Sequence, residues 1–132
     1  MASVIYPLAK QQLWQAGINL SSGVVRAVLI DTGTYTYNAA HNAYDDLSGV
    51  VGTESPAFTT KTFTNGVFDA DNIVFSAVTG ATVEAIVVFL DTGVPANDLL
   101  IAYIDSASSG LPATPNGGDI NVNWNASGIC AL

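Results

Sequence analysis

Short runs of apolar and β-branched residues, separated by polar and turn-forming residues, recur along most of the chain. Six of these runs have the length and composition of β-strands. They cover residues 24–31, 57–64, 73–78, 84–91, 99–105 and 119–125. Six or more strands in 132 residues predict a mostly β fold, with an antiparallel β-sandwich or jelly roll as the leading architecture.

The beginning of the chain follows a different period. Pro7 suits the first position of a helix, and Ala9, Leu13 and Ala16 recur after it at helical spacing. Gly17 is a typical residue for a helix end. The pattern therefore predicts a short N-terminal helix over residues 7–16, and the chain length indicates a single domain over residues 1–132.

The strand-like runs differ in how many of their positions are apolar. Residues 85–90 and 99–104 are apolar at nearly every position, so both faces of these strands must be covered, either in the core or by a neighbouring subunit. Farther on, Ile120, Val122 and Trp124 alternate with asparagines. This alternation predicts a strand with one buried side and one solvent-facing side.

Turn-forming residues indicate how the runs connect. Asn65 and Gly66 favour a type I′ turn, so the runs 57–64 and 73–78 are predicted to be hairpin neighbours. Residues 32–55 have no long periodic element and are predicted to be a surface loop, with one helical turn around Tyr44 and Leu47. Residues 106–118 form a second predicted loop, and long loops often carry partner contacts.

Composition changes the expected character of the surface. Apolar residues make up 49% of the chain and charged residues only 11%, whereas ordinary domains have roughly a quarter charged residues. An uncharged surface suits burial against neighbouring subunits, or a monomer coated with Thr, Ser and Asn. The net charge of -8 repels a phosphate backbone, so we expect no nucleic-acid partner.

The single cysteine and the N-terminal residues indicate in which cellular compartment the protein is expected to fold. Cys130 is the single cysteine and can form no disulfide within the chain, so we interpret it as a small apolar residue of a fold that does not require oxidation. The first residues lack the pattern of a secretory signal, and apolar residues 85–90 are too few to cross a bilayer. We expect neither secretion nor a membrane partner.

The triplet Asp-Thr-Gly occurs twice after an apolar run, as Asp31-Thr32-Gly33 and as Asp91-Thr92-Gly93. This is the local pattern of aspartic proteases, in which two adjacent carboxylates share a proton. The same residues are also typical of a turn at a strand end, where Asp accepts hydrogen bonds from the backbone. The chain is short for a two-lobed protease, so the turn is the favoured interpretation and the protease a remote alternative.

Other chemical motifs are sparse. His41 is the only histidine and is expected to form hydrogen bonds in a loop rather than to catalyse a reaction. Asp69, Asp71 and Asn72 supply oxygen atoms without the spacing of a calcium loop, so a turn is expected there too. The glycosylation-type triplet at Asn125 is too short a pattern to carry weight. We therefore predict no catalytic, cofactor-binding or metal-binding residues, and no enzyme activity.

Several blocks of the sequence have a family resemblance when taken together. They are Tyr6-Pro7, residues 24–32 (VVRAVLIDT), Tyr35-Thr36 with His41, and residues 83–93 (VEAIVVFLDTG), 100–105 (LIAYID) and 110–120 (GLPATPNGGDI). Over nearly its whole length the chain resembles small virion structural proteins of tailed bacteriophages. Leu90 departs from the charged residue usual in that family. The resemblance implies a virion location, with assembly in the host cytoplasm, and no catalytic residues.

These observations predict a capsid decoration, or cement, protein that binds the outside of the shell and stabilises it. Its expected partners are the major capsid protein and further copies of itself, and weak contacts in several places would hold it through avidity. A tail-associated or fibre-associated component is the alternative, although the chain has neither repeats nor a trimerisation stalk.

Overall fold

The computed structural model describes residues 4–105, 111–124 and 127–131. Within these ranges the chain forms one α-helix, nine short or medium strands, one 3₁₀ turn and one tight turn with positive φ. The elements are β1 (Val4–Ile5), α1 (Pro7–Trp14), β2 (Val24–Ile30), β3 (Val50–Val51), β4 (Val67–Phe68), β5 (Ile73–Phe75), β6 (Ala85–Asp91), β7 (Leu100–Ile104), β8 (Ile120–Val122) and β9 (Cys130–Ala131), with the 3₁₀ turn at Tyr44–Asp46 and the tight turn at Thr64–Gly66.

The predicted N-terminal helix is confirmed and has Pro7 in its first turn. It ends two residues earlier than predicted. Ala16 takes the left-handed conformation (φ 56°), and the N–H groups of Ala16 and Gly17 donate to the carbonyls of Leu13 and Gln12. This is the usual pair of hydrogen bonds at a helix end, with alanine where glycine is favoured. In the described ranges, no helix has the length and hydropathy that crossing a membrane requires.

A five-stranded antiparallel sheet forms the centre of the fold, with the strand order β1-β7-β6-β2-β3. Its longest pairing joins β2 to β6, with Val24 opposite Asp91 and Ile30 opposite Ala85. All five residues of β7 and residues 85–89 of β6 are buried. These strands therefore have both faces covered, as their continuous apolar sequence predicts.

Tyrosines of the loop over residues 32–47 cover one face of the sheet. The ring centroids of Tyr37 and Tyr103 are 5.4 Å apart, and those of Tyr44 and Phe89 are 4.9 Å apart. Both distances are in the range of favourable aromatic pairs. The predicted surface loop thus has a second role, because its aromatic side chains close part of the core.

The short ladder of β4 with β9 lies against the other face. Ile5 pairs with Ala102, the neighbour of Tyr103, and therefore points away from the tyrosines. Ile5 lines a cavity together with Phe68 and Cys130 of the ladder. The predicted mostly β, antiparallel fold with a short N-terminal helix is confirmed, in the form of one five-stranded sheet with two separate two-stranded ladders.

The outer edge of β2 is closed by β3 and by the residues that follow it. The N–H of Ser55 donates to the carbonyl of Ala27 at 2.8 Å, and its Oγ accepts from the N–H of Ala27 at 2.9 Å. The N–H of Phe58 then donates to the carbonyl of Val25. The N–H and the hydroxyl oxygen of one buried serine thus satisfy the carbonyl and the N–H of Ala27, as a residue of a neighbouring strand would.

The predicted turn at Asn65 and Gly66 is confirmed, since both residues have positive φ, 56° and 79°. Thr62 and Asp69 pair across this turn. The predicted strand over residues 57–64 and its pairing with 73–78 are wrong. Thr60 has a φ of 54°, which interrupts an extended strand, and β5 pairs with β8 instead.

The long predicted loop 32–55 contains the expected helical turn, at Tyr44–Asp46. It also contains the two-residue strand β3, which a segment without a long periodic element does not predict. In the second predicted loop, residues 106–110 lie outside the described residues, and Ala113 pairs with Val83.

The alternation around β8 is confirmed in the described residues. Ile120, Val122 and Trp124 are buried, whereas Asn121 and Asn123 are exposed. The Trp124 ring centroid lies 5.6 Å from that of Phe58. The indole N–H and the backbone N–H of Trp124 donate to the Asp71 carbonyl and to Asn72 Oδ1.

Replacement of Trp124 by alanine should lower the free energy of unfolding by about 3–5 kcal/mol, because it removes a buried ring and leaves a cavity. Asn121→Ala, on the exposed side of the same ladder, should change it by about 0.5 kcal/mol or less. Urea denaturation measures both. Equal midpoints for the Trp124→Ala variant and the wild type would contradict the assigned packing.

Candidate functional site

The two Asp-Thr-Gly triplets lie at opposite ends of the central strand pair. Asp31 follows the last residue of β2, and Asp91 is the last residue of β6. Because the two strands are antiparallel, Asp91 lies opposite Val24, at the beginning of β2. A seven-residue strand, at about 3.4 Å per residue, separates the triplets by roughly 20 Å. The two carboxylates of one chain are therefore too far apart to share a proton, and a single chain does not form the aspartic-protease arrangement.

Each triplet instead forms a turn closed by its own aspartate. Asp31 Oδ1 accepts a hydrogen bond from the N–H of Gly33 at 2.9 Å, and Asp91 Oδ1 accepts from the N–H of Gly93 at the same distance. These are Asx-type turns. The turn interpretation of both triplets is therefore confirmed.

The threonines of the two triplets have matching partners. Both the N–H and the Oγ1 of Thr32 donate to Glu84 Oε1, at 3.0 and 3.1 Å. In the same way, the N–H and the Oγ1 of Thr92 donate to Asp98 Oδ1, both at 2.6 Å. The sequence did not indicate Glu84 and Asp98 as partners of these turns, since nothing local distinguishes them. Each turn is thus held by two carboxylates, one from the triplet and one from elsewhere.

Asp91 also forms an ion pair with Arg26, at 2.7 Å between Oδ2 and Nε. The N–H of Gly93 and the Arg26 guanidinium hold the pKa of the Asp91 carboxyl below its usual range. Arg26 also donates to the carbonyl of Ser55. The carboxylate therefore links the end of β6 to β2 and to the covered edge, which is a structural role.

His41 belongs to a buried tyrosine network. The hydroxyl of Tyr35 lies 3.0 Å from His41 Nδ1 and 2.9 Å from the hydroxyl of Tyr6. Tyr6 is completely buried and Tyr35 is 2% exposed. His41 is thus a hydrogen-bonding loop residue, as predicted, but the sequence did not indicate that its partner is a core tyrosine 6 residues away.

The tyrosine hydroxyl groups of this network are poor proton donors at ordinary pH. Burial raises the pKa of Tyr6 far above its ordinary value, and the hydrogen bond to Tyr35 raises it further. Burial also raises the pKa of Tyr35. The hydroxyl groups therefore stay protonated, and the arrangement joins the loop to the core rather than activating a nucleophile.

Asp46 anchors the same loop. Its Oδ2 accepts hydrogen bonds from the N–H groups of Asn42 and Ala43, at 3.0 and 3.1 Å. These bonds lower the pKa of the Asp46 carboxyl, with a smaller contribution from His41. The carboxylate is consequently ionised and fixes the residues around the histidine.

The oxygen-rich segment at residues 69–72 joins β4 to β5 as an irregular connection, not as the predicted turn. Asp71 Oδ2 accepts from the hydroxyl groups of Thr59 and Thr60, at 3.0 and 2.8 Å. Asn72 Oδ1 accepts from the N–H of Trp124. In the described part of the chain, no group of three or more His, Cys, Asp or Glu residues is placed to hold a metal ion. Asn125, of the glycosylation-type triplet, lies outside the described residues.

An apolar groove lies between α1 and the turn at Thr64–Gly66. Its enclosed part is a cavity of about 100 Å³, and a shallower part of about 200 Å³ continues from it. Leu13, Leu20 and Phe63 line both parts, and Ile18 lines the shallow part. We call these four residues the apolar groove.

Two residues beside the groove differ in their exposure. Cys130 lines the enclosed part, and burial raises the pKa of its thiol to about 11, which agrees with its predicted role as an apolar residue. Trp14, adjacent to Leu13, is 81% exposed. Trp14 is therefore a large aromatic side chain left exposed on the helix that contributes Leu13 to the groove.

We expect Asp31→Asn and Asp91→Asn each to lower the free energy of unfolding by about 1 kcal/mol or less, because each loses part of a turn. The pKa of Asp91 is lower in the folded state than its ordinary value. Its carboxylate therefore stabilises the fold fully at pH values above the ordinary Asp pKa, and this stabilisation is lost as the pH falls through the lowered pKa. The difference in unfolding free energy between the wild type and Asp91→Asn should therefore be largest at pH 7 and disappear in acid. Denaturation at a series of pH values measures it. Proteolysis by the wild type at acidic pH that both substitutions abolish would contradict this interpretation.

The tyrosine network predicts a non-additive effect. Tyr35→Phe should cost about 1–3 kcal/mol of unfolding free energy, because the buried Tyr6 hydroxyl loses its partner. The double variant Tyr6→Phe/Tyr35→Phe should cost less than the two single variants together, since no unpaired hydroxyl remains. Tyr37→Phe, in the same aromatic cluster, is the control. Strictly additive costs would show that the hydroxyls are not coupled.

Comparison with known proteins adds no family to this description. No protein-family model matches the chain, and no curated protein matches it. The resemblance to phage virion proteins therefore rests on the sequence blocks alone, and any function has to be argued from the groups on the surface and in the core.

Proposed function

We propose that the protein is a structural subunit of a tailed-phage virion, in which it acts as a capsid decoration protein on the outside of the shell. The sequence blocks that resemble small virion structural proteins support the particle as its location. The way in which its polar side chains are engaged and its charge support a binding role.

One contrast carries the proposal. The groups that the sequence offers for chemistry are engaged within the chain. Asp31 and Asp91 close turns, Asp71 accepts a hydrogen bond from Thr59, and His41 bonds to Tyr35. Trp14, in contrast, is 81% exposed. A molecule whose reactive groups hold its own loops, while a large aromatic side chain is left exposed, is better suited to binding a partner than to catalysis.

The charge of the chain favours the outer surface of a shell over the packaged genome. Eleven acidic residues against three basic ones give a net charge of -8, which disfavours contact with phosphates. The partners we propose are the major capsid protein and further copies of the chain itself. Many weak contacts on a shell of repeated subunits provide a strong total attachment through avidity.

Purified protein should rebind to capsids that lack it and raise the temperature at which they are disrupted. A ligand that binds only the assembled state stabilises it in proportion to the logarithm of its concentration over its dissociation constant. Thermal disruption of capsids, followed by light scattering over a series of protein concentrations, measures this. An unrelated protein of similar size and net charge is the control.

Two results would count against the decoration role. Labelled protein found on the tail alone would favour the tail-associated alternative. An unchanged disruption temperature at a saturating concentration would show that binding, even where it occurs, does not stabilise the shell.

A further inference from the structure

We infer that the apolar groove binds a protein segment that presents large apolar side chains flanked by carboxylates. Two features of this surface coincide. The groove is lined by Leu13, Ile18, Leu20 and Phe63, and lysines without a carboxylate partner stand beside it. The inference does not depend on the proposed function, because it can be tested without a capsid.

The apolar part of the surface fits a side chain of a partner. The enclosed part of the groove holds about 100 Å³, enough to admit the end of a leucine or phenylalanine. Phe63 lines the groove and is 38% exposed. Trp14 follows the groove residue Leu13 on α1 and is 81% exposed. Aromatic residues around an apolar pocket are the usual source of binding energy in protein interfaces.

Lys61 gives this surface its charge. Its Nζ donates to the carbonyl oxygens of Leu20 (2.7 Å) and Gly23 (2.5 Å), and Leu20 is itself a groove residue. An ammonium has three N–H donors, so one more acceptor can be bound. Partial burial lowers the pKa of Lys61, as expected for a cation that has lost water without gaining an anion.

Lys10 lies on the same helix as the groove residues. It is exposed and precedes Leu13 by three positions and Trp14 by four, so the three side chains share one side of α1. Among the residues that line the groove, none is acidic. The surface is therefore apolar and locally cationic on a chain that is strongly acidic.

The remaining charges leave these lysines unpaired. Within the described residues, Arg26 forms the one ion pair, with Asp91. Asp71, on the segment beside Lys61, accepts hydrogen bonds from Thr59 and Thr60 instead. Two of the three basic side chains of the chain thus stand at the groove with no carboxylate, which favours a partner that supplies one.

Three capped peptides with the same Leu-Phe core test the inference, with the core flanked by Glu, by Gln or by Lys. Trp14 is exposed and Trp124 is 8% exposed, so acrylamide quenching of tryptophan fluorescence reports mainly on Trp14. The Glu peptide should protect Trp14 from acrylamide and shift its emission to shorter wavelength. The Gln peptide should bind about tenfold more weakly, and the Lys peptide should not bind at millimolar concentration.

Variants of the protein separate the two features. Lys61→Gln and the exposed Lys10→Gln should each reduce the preference for the Glu peptide, and Phe63→Ser should weaken binding of the Glu and Gln peptides alike. Val94→Ser, at an exposed apolar residue elsewhere, should change nothing.

Three results would overturn the inference. The first is equal binding of the three peptides, and the second is failure of the Glu peptide to protect Trp14 at millimolar concentration. The third is protection of Trp14 by rising protein concentration alone, with dimers in sedimentation experiments, because the occupant would then be a second copy of the chain.

Discussion

The pairing of β2 with β6 is the constraint on which the rest of the structure depends. Its register places Val24 opposite Asp91 and Ile30 opposite Ala85, and a slip by one residue would turn every buried side chain of β2 to the wrong face. The ion pair between Arg26 and Asp91 runs diagonally across this pair. The same register keeps the two Asp-Thr-Gly turns apart, so it decides the chemistry as well as the packing.

Carboxylates hold the loops that extend from this sheet. Asp31 and Asp91 close the two triplet turns, Glu84 and Asp98 accept from the threonines, and Asp46 fixes the segment beside His41. Loops have many N–H groups without a strand partner, and an ionised oxygen satisfies two of them at once. The acidic composition therefore has a structural use here, and the aspartates of the two protease-like triplets take part in it by closing their own turns.

Basic residues are distributed in the opposite way. Arg26 forms an ion pair with Asp91 in the central sheet, whereas Lys10 and Lys61 lie on the side of the apolar groove. Trp14 adds a large exposed aromatic surface to the same side of the molecule. The acidic side chains are thus engaged within the fold, whereas the two lysines lie on the surface that we propose binds a partner.

The sequence by itself determined the features that depend on neighbouring residues: the helix from Pro7, the apolar strands β6 and β7, the buried side of β8 and the turn at Asn65 and Gly66. Their periodicity and backbone preferences are local. Only the tertiary structure decided which strands pair, where each Asp-Thr-Gly turn lies, and that Tyr6, Tyr35 and His41 form one network. It also decided that α1 and the turn at Thr64–Gly66 enclose a groove. These features depend on contacts between residues far apart in sequence, which the register of the sheet sets and no local pattern encodes.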